Sequence, residues 1–268
     1  MSGWRSALFV PVVVSTALAC GTGSSVDGTS QPRPSVTQPG ETISPSAPAS
    51  PSATVSPASP SAAPSAPRQT DRLLRFGDRG PAVLRLQQKL VGLGYWLGKP
   101  DAVFGGETEQ AVYALQHAAG ISVDGVVGRA TLAALARRTQ PSARTSAGDA
   151  LEIDVPHQLL LVVVGGRVQW VLHVSTGGEY VYVDRGGTYR ATTPRGRFHI
   201  ERMVDGWDHS TLGWLWRPAY FVGGYALHGY LEVPPYPASH GCVRVGMAAM
   251  NWLWDSGIAK VGQPMWVY

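Results

Sequence analysis

Residues 151–175 read LEIDVPHQLLLVVVGGRVQWVLHVS. Leu151–Val155 and Leu159–Val164 have strand character, and Gly165-Gly166 is a tight-turn signal. Arg167–Ser175 then returns with Val168, Trp170, Leu172 and Val174 alternating. Period-two apolarity on both sides of a two-residue glycine turn predicts a β-hairpin. Phe198-His199-Ile200, Tyr220-Phe221-Val222 and Met265–Tyr268 add short strands, while Met247–Asp255 is the one convincing helix of this half. Short strands joined by Gly/Pro turns predict a mainly β sandwich or barrel over 150–268.

Upstream the period changes. Val83, Leu86, Leu90 and Leu93 follow helical spacing behind Pro81, with Gly94 as the stop. A second helix is predicted from about Thr108 to Ala119, with Ala111, Val112, Leu115 and Ala119 inward. A third is predicted from about Arg129 to Arg138, with Leu132 and Leu135 inward. Asp101-Ala-Val-Phe104-Gly105-Gly-Glu-Thr108 and Asp124-Gly-Val-Val127-Gly128-Arg-Ala-Thr131 repeat one pattern 23 residues apart. Asp bonds its own turn, Gly permits a positive φ, and Thr suits a helix start, so the repeat reads as structural. The chain is thus multidomain: a small three-helix domain over 71–138, a polar linker over 139–149, and the β domain over 150–268.

Residues 1–19 read as a secretory signal peptide. One Arg precedes an apolar or small run, Ala7–Leu18, that is too short to span a bilayer, and Ala17-Leu18-Ala19 leads to Cys20. Residues 20–70 read as a disordered tether, because ten of the 21 prolines lie in 31–70 among Ser, Ala and Thr. Such a segment buries too little apolar surface to offset its ordering entropy. Forty extended residues reach on the order of 120 Å.

The chain has 268 residues, a net charge of +4 and a pI near 9.2. Lysine occurs only at positions 89, 99 and 260 and the arginines are scattered, so no nucleic-acid footprint is present. The two cysteines are Cys20 and Cys242. With Cys20 in the processing segment, Cys242 is a free thiol in an exported protein, a position exposed to oxidation.

A reason for that thiol lies around it. Ala226-Leu227-His228-Gly229 precedes Ser239-His240-Gly241-Cys242-Val243-Arg244-Val245. A nucleophilic cysteine needs a base or a lowered pKa, and two histidines stand at fixed distances from this one. Gly241 leaves room for a substrate backbone. The amides around Gly241, Cys242 and Val243 suit an oxyanion hole, and Arg244 suits a substrate carboxylate. A zinc site of His228, His240 and Cys242 lacks an evident fourth ligand.

These residues resemble the L,D-transpeptidase (YkuD) catalytic domain, whose signature is His-Gly, a spacer, then Ser/Thr-His-Gly-Cys-apolar-Arg. Thr193-Pro194-Arg195-Gly196-Arg197-Phe198 is similar to the family's Thr-Pro-x-Gly-x-Phe segment. The resemblance implies Cys242 as nucleophile held ionised beside His228 as base, with Ser239 and His240 shaping the site. Gly229, Gly241, Val243 and Arg244 then serve the oxyanion or the substrate. It implies acyl transfer between peptidoglycan stem peptides through a Cys thioester with release of D-alanine, no metal or organic cofactor, and carbapenem-type β-lactams as covalent inhibitors. Residues 78–135, with Arg79-Gly80-Pro81-Ala82-Val83 and Leu86-Gln87, resemble the bacterial peptidoglycan-binding domain of three helices. The segment ending at Cys20 resembles a lipoprotein signal that would anchor the protein to the membrane through lipidated Cys20. Ala17 stands where such signals favour Leu, and plain secretion after cleavage at the same bond, or an uncleaved anchor, are the alternatives.

Other readings stay open on sequence alone. Water as acceptor would make the protein an L,D-carboxypeptidase, and an inert Cys242 would make it a non-catalytic wall-binding lipoprotein. Tyr95, Trp96 and Phe104 read as core plugs or as a ligand groove. Trp207, Trp214, Trp216, Tyr220 and Tyr225 read as packing or as a substrate wall. His157, His173, His199 and His209 read as ordinary surface or strand histidines.

Overall fold

The computed structural model describes residues 73–268, so the expectations for the signal peptide, Cys20 and the tether lie outside the described residues. The helical domain contains α1 (Pro81–Gly92), α2 (Gly106–Ala118) and α3 (Arg129–Ala136). Val83, Leu86 and Leu90 of α1 meet Ala111, Val112 and Leu115 of α2 in one core. Leu135 of α3 joins them, whereas Leu132, expected inward, is 42% exposed.

The repeated loops are organised by two buried glutamines that the sequence pattern does not reveal. Gln87 Nε2 donates to Asp101 Oδ1 (2.8 Å), the Val103 carbonyl (3.0 Å) and Thr108 Oγ1 (2.9 Å), and its Oε1 accepts the Asp101 and Ala102 amides. Gln116 repeats the set on Asp124, Val126 and Thr131, with the Asp124 and Gly125 amides on its Oε1. Thr108 and Thr131 therefore do not cap helices as expected. Gly105 and Gly128 precede α2 and α3, and the threonines sit inside the first turn facing the glutamines. Ala102 (φ 66°) and Gly125 (φ 71°) occupy the same left-handed corner of the two loops.

The β domain has twelve strands: β1 (Ala150–Asp154), β2 (Leu159–Val164), β3 (Arg167–His173), β4 (Val181–Asp184), β5 (Gly187–Arg190), β6 (Gly196–His199), β7 (Arg202–Met203), β8 (Trp207–Ser210), β9 (Gly213–Val222), β10 (Tyr225–Tyr230), β11 (Val243–Gly246) and β12 (Pro264–Val267). One sheet runs β3-β2-β1-β12-β6, and the other runs β11-β10-β9-β7 with β8 also on β9. β4 and β5 form a separate hairpin. The two five-stranded sheets share one core: Leu151, Ile153, Leu160 and Val162 from the first, Phe221, Leu227, Val243 and Val245 from the second. α4 (Met247–Asp255) follows β11 and adds Ala249, Met250 and Leu253. The expected sandwich of mainly β structure with a late helix is what forms.

β2, Leu-Leu-Leu-Val-Val-Val, is buried on both faces. Leu160 and Val162 enter the sandwich core, while Leu159, Leu161 and Val163 pack into the core of the helical domain. A continuous apolar strand is the signature of that double cover. The edge of β3 is covered too: Trp96 N–H donates to the Val171 carbonyl (3.1 Å) and Val171 N–H to the Gly94 carbonyl (2.8 Å). Capping an edge strand in this way removes a template for unwanted pairing. Tyr95 and Phe104 are fully buried core residues, and the Trp96 ring lies tilted against Trp252 of α4, centroids 5.3 Å apart. The 139–149 segment carries no helix or strand but is tied at its start by Tyr95 OH on the Thr139 carbonyl (2.8 Å) and at its middle by the Arg144 amide on buried Glu152 (3.0 Å).

Candidate active site

β10 and β11 run parallel, with Leu227 opposite Val243 and His228 opposite Arg244. Leu227, Val243 and Val245 point into the sandwich core. Side chains alternate along a strand, so Ala226, His228 and Tyr230 share the opposite face with Cys242 and Arg244. Contacts agree: Cys242 packs with Ala226, and the Arg244 guanidinium lies 4.1 Å over the Tyr230 ring. The fold thus brings the predicted cysteine, histidine and arginine onto one surface.

His228 is 3% exposed. Its Nδ1 donates to the Gly229 carbonyl at 3.0 Å, which fixes the tautomer and leaves Nε2 unprotonated. Burial pushes its pKa down to about 4, with the Arg244 charge acting the same way and the Gly229 carbonyl opposing. Cys242 is half-buried, and its Sγ faces the Gly224 carbonyl at 3.9 Å and the Ala226 amide. Burial pushes the thiol up, against the opposing pull of the Ala226 amide and of Arg244. Both shifts favour the neutral forms and run against the expected thiolate, because burial disfavours either charge more than the local attractions favour it. No hydrogen bond joins Cys242 and His228 among the described residues.

The loop around Cys242 is clamped from several directions. Ser239 Oγ accepts the Gly241 amide (3.0 Å) and donates to the Cys242 carbonyl (2.6 Å). Thr193 Oγ1 donates to the Gly241 carbonyl (2.8 Å) and accepts the Gly177 amide (2.9 Å). The Ser175 and Arg244 backbones exchange bonds at 3.0 Å, and the Thr176 carbonyl accepts the Ala238 and Ser239 amides. Thr193 and the 175–177 strut are positioning elements absent from the sequence-based site. The Thr193-Pro194-Arg195-Gly196 block was the one signal pointing to the former.

Gly241 does not open space for substrate as expected. At φ 137° a Cβ would stand 2.4 Å from Tyr225 Cε1 and 2.8 Å from the Thr192 carbonyl, so the glycine admits neighbours of the protein itself. Its amide is spent on Ser239, whereas the Cys242 amide makes no hydrogen bond among the described residues. Gly229 is likewise a packing position, where a Cβ would meet Trp216 Cδ1 at 2.7 Å. Val243 is buried in the core. His240 is half-buried, its ring edge-on to Tyr182 (4.7 Å) and Tyr180 (5.5 Å) of the β4–β5 region. Burial and then Arg244 lower its pKa, against the opposing pull of Asp184.

The aromatic run divides. Tyr220 is buried with its hydroxyl on Asp208 (2.7 Å), and Trp216 bonds Asn251 (2.7 Å). Trp207 and Trp214 stay exposed and border a cavity of about 660 Å³ with Tyr230, Leu231 and Glu232. His173 ends β3, a strand histidine as read, and is buried there, stacked on His117 of α2 at 5.3 Å with Nε2 donating to the Pro234 carbonyl (2.8 Å). Gln110 Nε2 donates to the Val233 carbonyl (3.0 Å) and His117 Nε2 to the Pro235 carbonyl (3.1 Å). The loop linking His228 to the cysteine motif is thus held from α2 and β3.

Comparison with known proteins follows the same division. Residues 79–135 match the peptidoglycan binding domain family, and residues 148–267 match the L,D-transpeptidase catalytic domain family. The crystal structure of an L,D-transpeptidase from Xylanimonas cellulosilytica is 50% identical, covers 76% of this chain and 100% of that one, and superposes with a TM-score of 0.72. The N-acetylmuramoyl-L-alanine amidase CwlL of Bacillus licheniformis is 42% identical over 78 residues, 28% of this chain and 22% of the relative. A spore cortex-lytic enzyme of Oceanobacillus iheyensis is 37% identical over 62 residues, 23% of this chain and 22% of the relative. The chain spans about a fifth of the length of these two curated relatives. Half the aligned residues are identical over the full crystallised segment, residues 123–326, of the Xylanimonas protein, and the catalytic-domain match runs over the cysteine and both histidines, so the chain belongs to the L,D-transpeptidase family.

Proposed function

We propose that this protein is an exported peptidoglycan L,D-transpeptidase that works through a Cys242 thioester. The observation that carries the reading is the shared face of β10 and β11, where half-buried Cys242 lies two residues before Arg244, the register partner of His228, whose Nδ1 is already committed to the Gly229 carbonyl. With both groups neutral at rest, Sγ attacks the carbonyl carbon of the third stem residue as its proton passes to His228 Nε2. The Cys242 amide, free of other partners, receives the developing oxyanion. Collapse breaks the peptide bond, and His228 returns the proton to the departing amine of D-alanine. An amine of a neighbouring stem then attacks the thioester, loses a proton to His228, and leaves the cross-link and the free thiol. Arg244 supplies fixed positive charge, and Ser239 and Thr193 hold the loop. The helical domain would hold the enzyme on the wall, with lipidated Cys20 as the membrane anchor.

The test is incubation of the protein with a stem tetrapeptide and an amine-bearing acceptor. Mass spectrometry is expected to show a Cys242 thioester and a cross-linked dimer with D-alanine released. Cys242→Ala should lose both by at least about a thousandfold, some 4 kcal/mol of barrier. Tripeptide without dimer would assign the carboxypeptidase reaction instead. No adduct with tetrapeptide or with a carbapenem would assign a non-catalytic wall-binding role.

A further inference from the structure

The segment between β10 and the cysteine motif reads Leu231-Glu-Val233-Pro234-Pro235-Tyr236-Pro237-Ala238. Its three prolines fix their own φ and remove three amide donors. Among the described residues, no backbone hydrogen bond joins two members of this segment. A surface loop ordinarily leaves such carbonyls to water. Here four consecutive carbonyls are taken by side chains from other elements. Val233 receives Gln110 Nε2 (3.0 Å), Pro234 receives His173 Nε2 (2.8 Å), Pro235 receives His117 Nε2 (3.1 Å) and Tyr236 receives Ser175 Oγ (2.8 Å).

Two of these four side chains belong to the helical domain. Gln110 and His117 stand seven residues apart on α2, so two turns return them to one face. Ala111, Val112 and Leu115 fill the core of the helical domain itself, whereas the Gln110–His117 stripe serves the β domain. Tyr113 lies in the same stripe with its ring edge-on to His173 at 5.5 Å. The far end of the proline strap runs into the reacting groups. Ser175, which holds the Tyr236 carbonyl, also exchanges backbone bonds with Arg244, and the Thr176 carbonyl takes the Ala238 and Ser239 amides. The near end leaves Tyr230, two residues past His228 on β10. The strap is thus the covalent link between base and nucleophile. No hydrogen bond joins those two at rest among the described residues, so the backbone sets how Sγ approaches Nε2. Proton transfer needs a heavy-atom separation of about 3 Å, and a misplacement of about 1 Å can slow a reaction on the order of a hundredfold.

We propose that Gln110 and His117 are positioning residues for thioester formation: from the helical domain they set the path of the proline strap, and with it the approach of Cys242 to His228. The inference rests on the transpeptidase reading. It makes the helical domain a working part of the reactive site, beyond holding the enzyme on the wall.

The experiment follows thioester formation from a stem tetrapeptide by mass spectrometry in the full protein. It yields a maximal rate and a half-saturating concentration, with urea midpoints measured alongside. Gln110→Leu and His117→Leu keep bulk but cannot donate. Each should lower the maximal rate about tenfold, with the half-saturating concentration within about twofold of native. His117→Gln restores an N–H donor and should recover the rate to within about twofold of native. Trp96→Leu weakens the contact with Trp252 on α4 without a hydrogen bond to the strap, and should cost stability but not rate. Leucine variants that lose only stability would overturn the proposal, as would a raised half-saturating concentration at an unchanged maximal rate. So would a glutamine variant as slow as the leucine one, or an equal slowing in Trp96→Leu. Should a leucine variant fail to fold, Gln110→Asn carries the test, because its amide is one carbon short of the Val233 carbonyl: a slower rate supports the proposal and a native rate overturns it. If the native protein forms no thioester, the transpeptidase reading fails by itself. The strap is then judged by the rate at which iodoacetamide alkylates Cys242 in the native protein and the two leucine variants. A change of at least about threefold supports its positioning by α2, and equal rates overturn it.

Discussion

The two Asp-to-Thr loops of the helical domain and the cysteine loop of the β domain are all short, glycine-bearing and tied by side-chain hydrogen bonds. The distances spanned by the ties differ. Gln87 and Gln116 reach partners between 8 and 21 residues away. The cysteine loop is held by Thr193, 48 residues before Gly241, and by the Ser175–Gly177 strut, more distant still. A glutamine knot can form as soon as its helix and loop meet. The cysteine loop is placed only after the two sheets have stacked, so the chemistry depends on the whole sandwich, while the helical loops depend on little beyond themselves.

Acid should expose this contrast most strongly. His173 and His228, both in the β domain, have folded pKa values pushed down to about 4 by burial. In the unfolded chain a histidine takes up its proton near 6.5. Between pH 6.5 and 4 the unfolded state therefore binds more protons, and stability present above pH 6.5 is lost as the pH falls toward 4. Each histidine contributes up to about 3 kcal/mol to that loss, measurable as urea midpoints at pH 7 and pH 4.5. A midpoint independent of pH over this range would contradict the burial argument. The same shift puts the acid limb of thioester formation near pH 4, well below the ordinary histidine range.

Gln116→Ala should rank next. It removes a buried hub and leaves the Asp124 and Gly125 amides without their acceptor, for a loss of about 3 kcal/mol in chemical denaturation. A loss under about 1 kcal/mol would mean the loop is held by packing instead. Thr193→Val keeps the shape but frees the Gly241 carbonyl and the Gly177 amide. Thioester formation should fall about tenfold, near 1.4 kcal/mol, with the helical domain unaffected. An unchanged rate would show that the loop holds its position without the hydroxyl. Ala102→Gly is the smallest change: it relieves a left-handed alanine where the second repeat carries Gly125. Stabilisation of about 0.5 kcal/mol is expected, since relief of the strain is partly offset by the freer unfolded chain. Destabilisation would show that the two loops are not equivalent.

Much of this was legible before any coordinates. The turn at Gly165-Gly166 and Met247–Asp255 each report on residues next to one another and appear where the pattern puts them, whereas the alternation after the turn is interrupted by a bulge that turns Val168 to the helical-domain side while Trp170, Leu172 and Val174 face the sandwich core. The His228 and Cys242 motifs were legible as chemistry. The surrounding geometry was not. Gly241 read as space for substrate and proved to be space for Tyr225, and Gly229, read as an oxyanion or substrate position, makes room for Trp216. His173 is a strand histidine as read, but that α2 covers it was not legible.

By itself the sequence determined the order of domains, the helices and main strands, and a cysteine flanked by histidines. Those properties depend on local periodicity, turn conformations and residue chemistry, which neighbours in the chain settle among themselves. The tertiary structure alone decided that Leu159, Leu161 and Val163 are covered by the helical domain, that Thr193 clamps the Cys242 loop, and that Gln110 and Arg244 face one cavity. Such contacts join segments tens of residues apart, and they exist only once sheets and helices have stacked and shut out the water that each surface would otherwise keep.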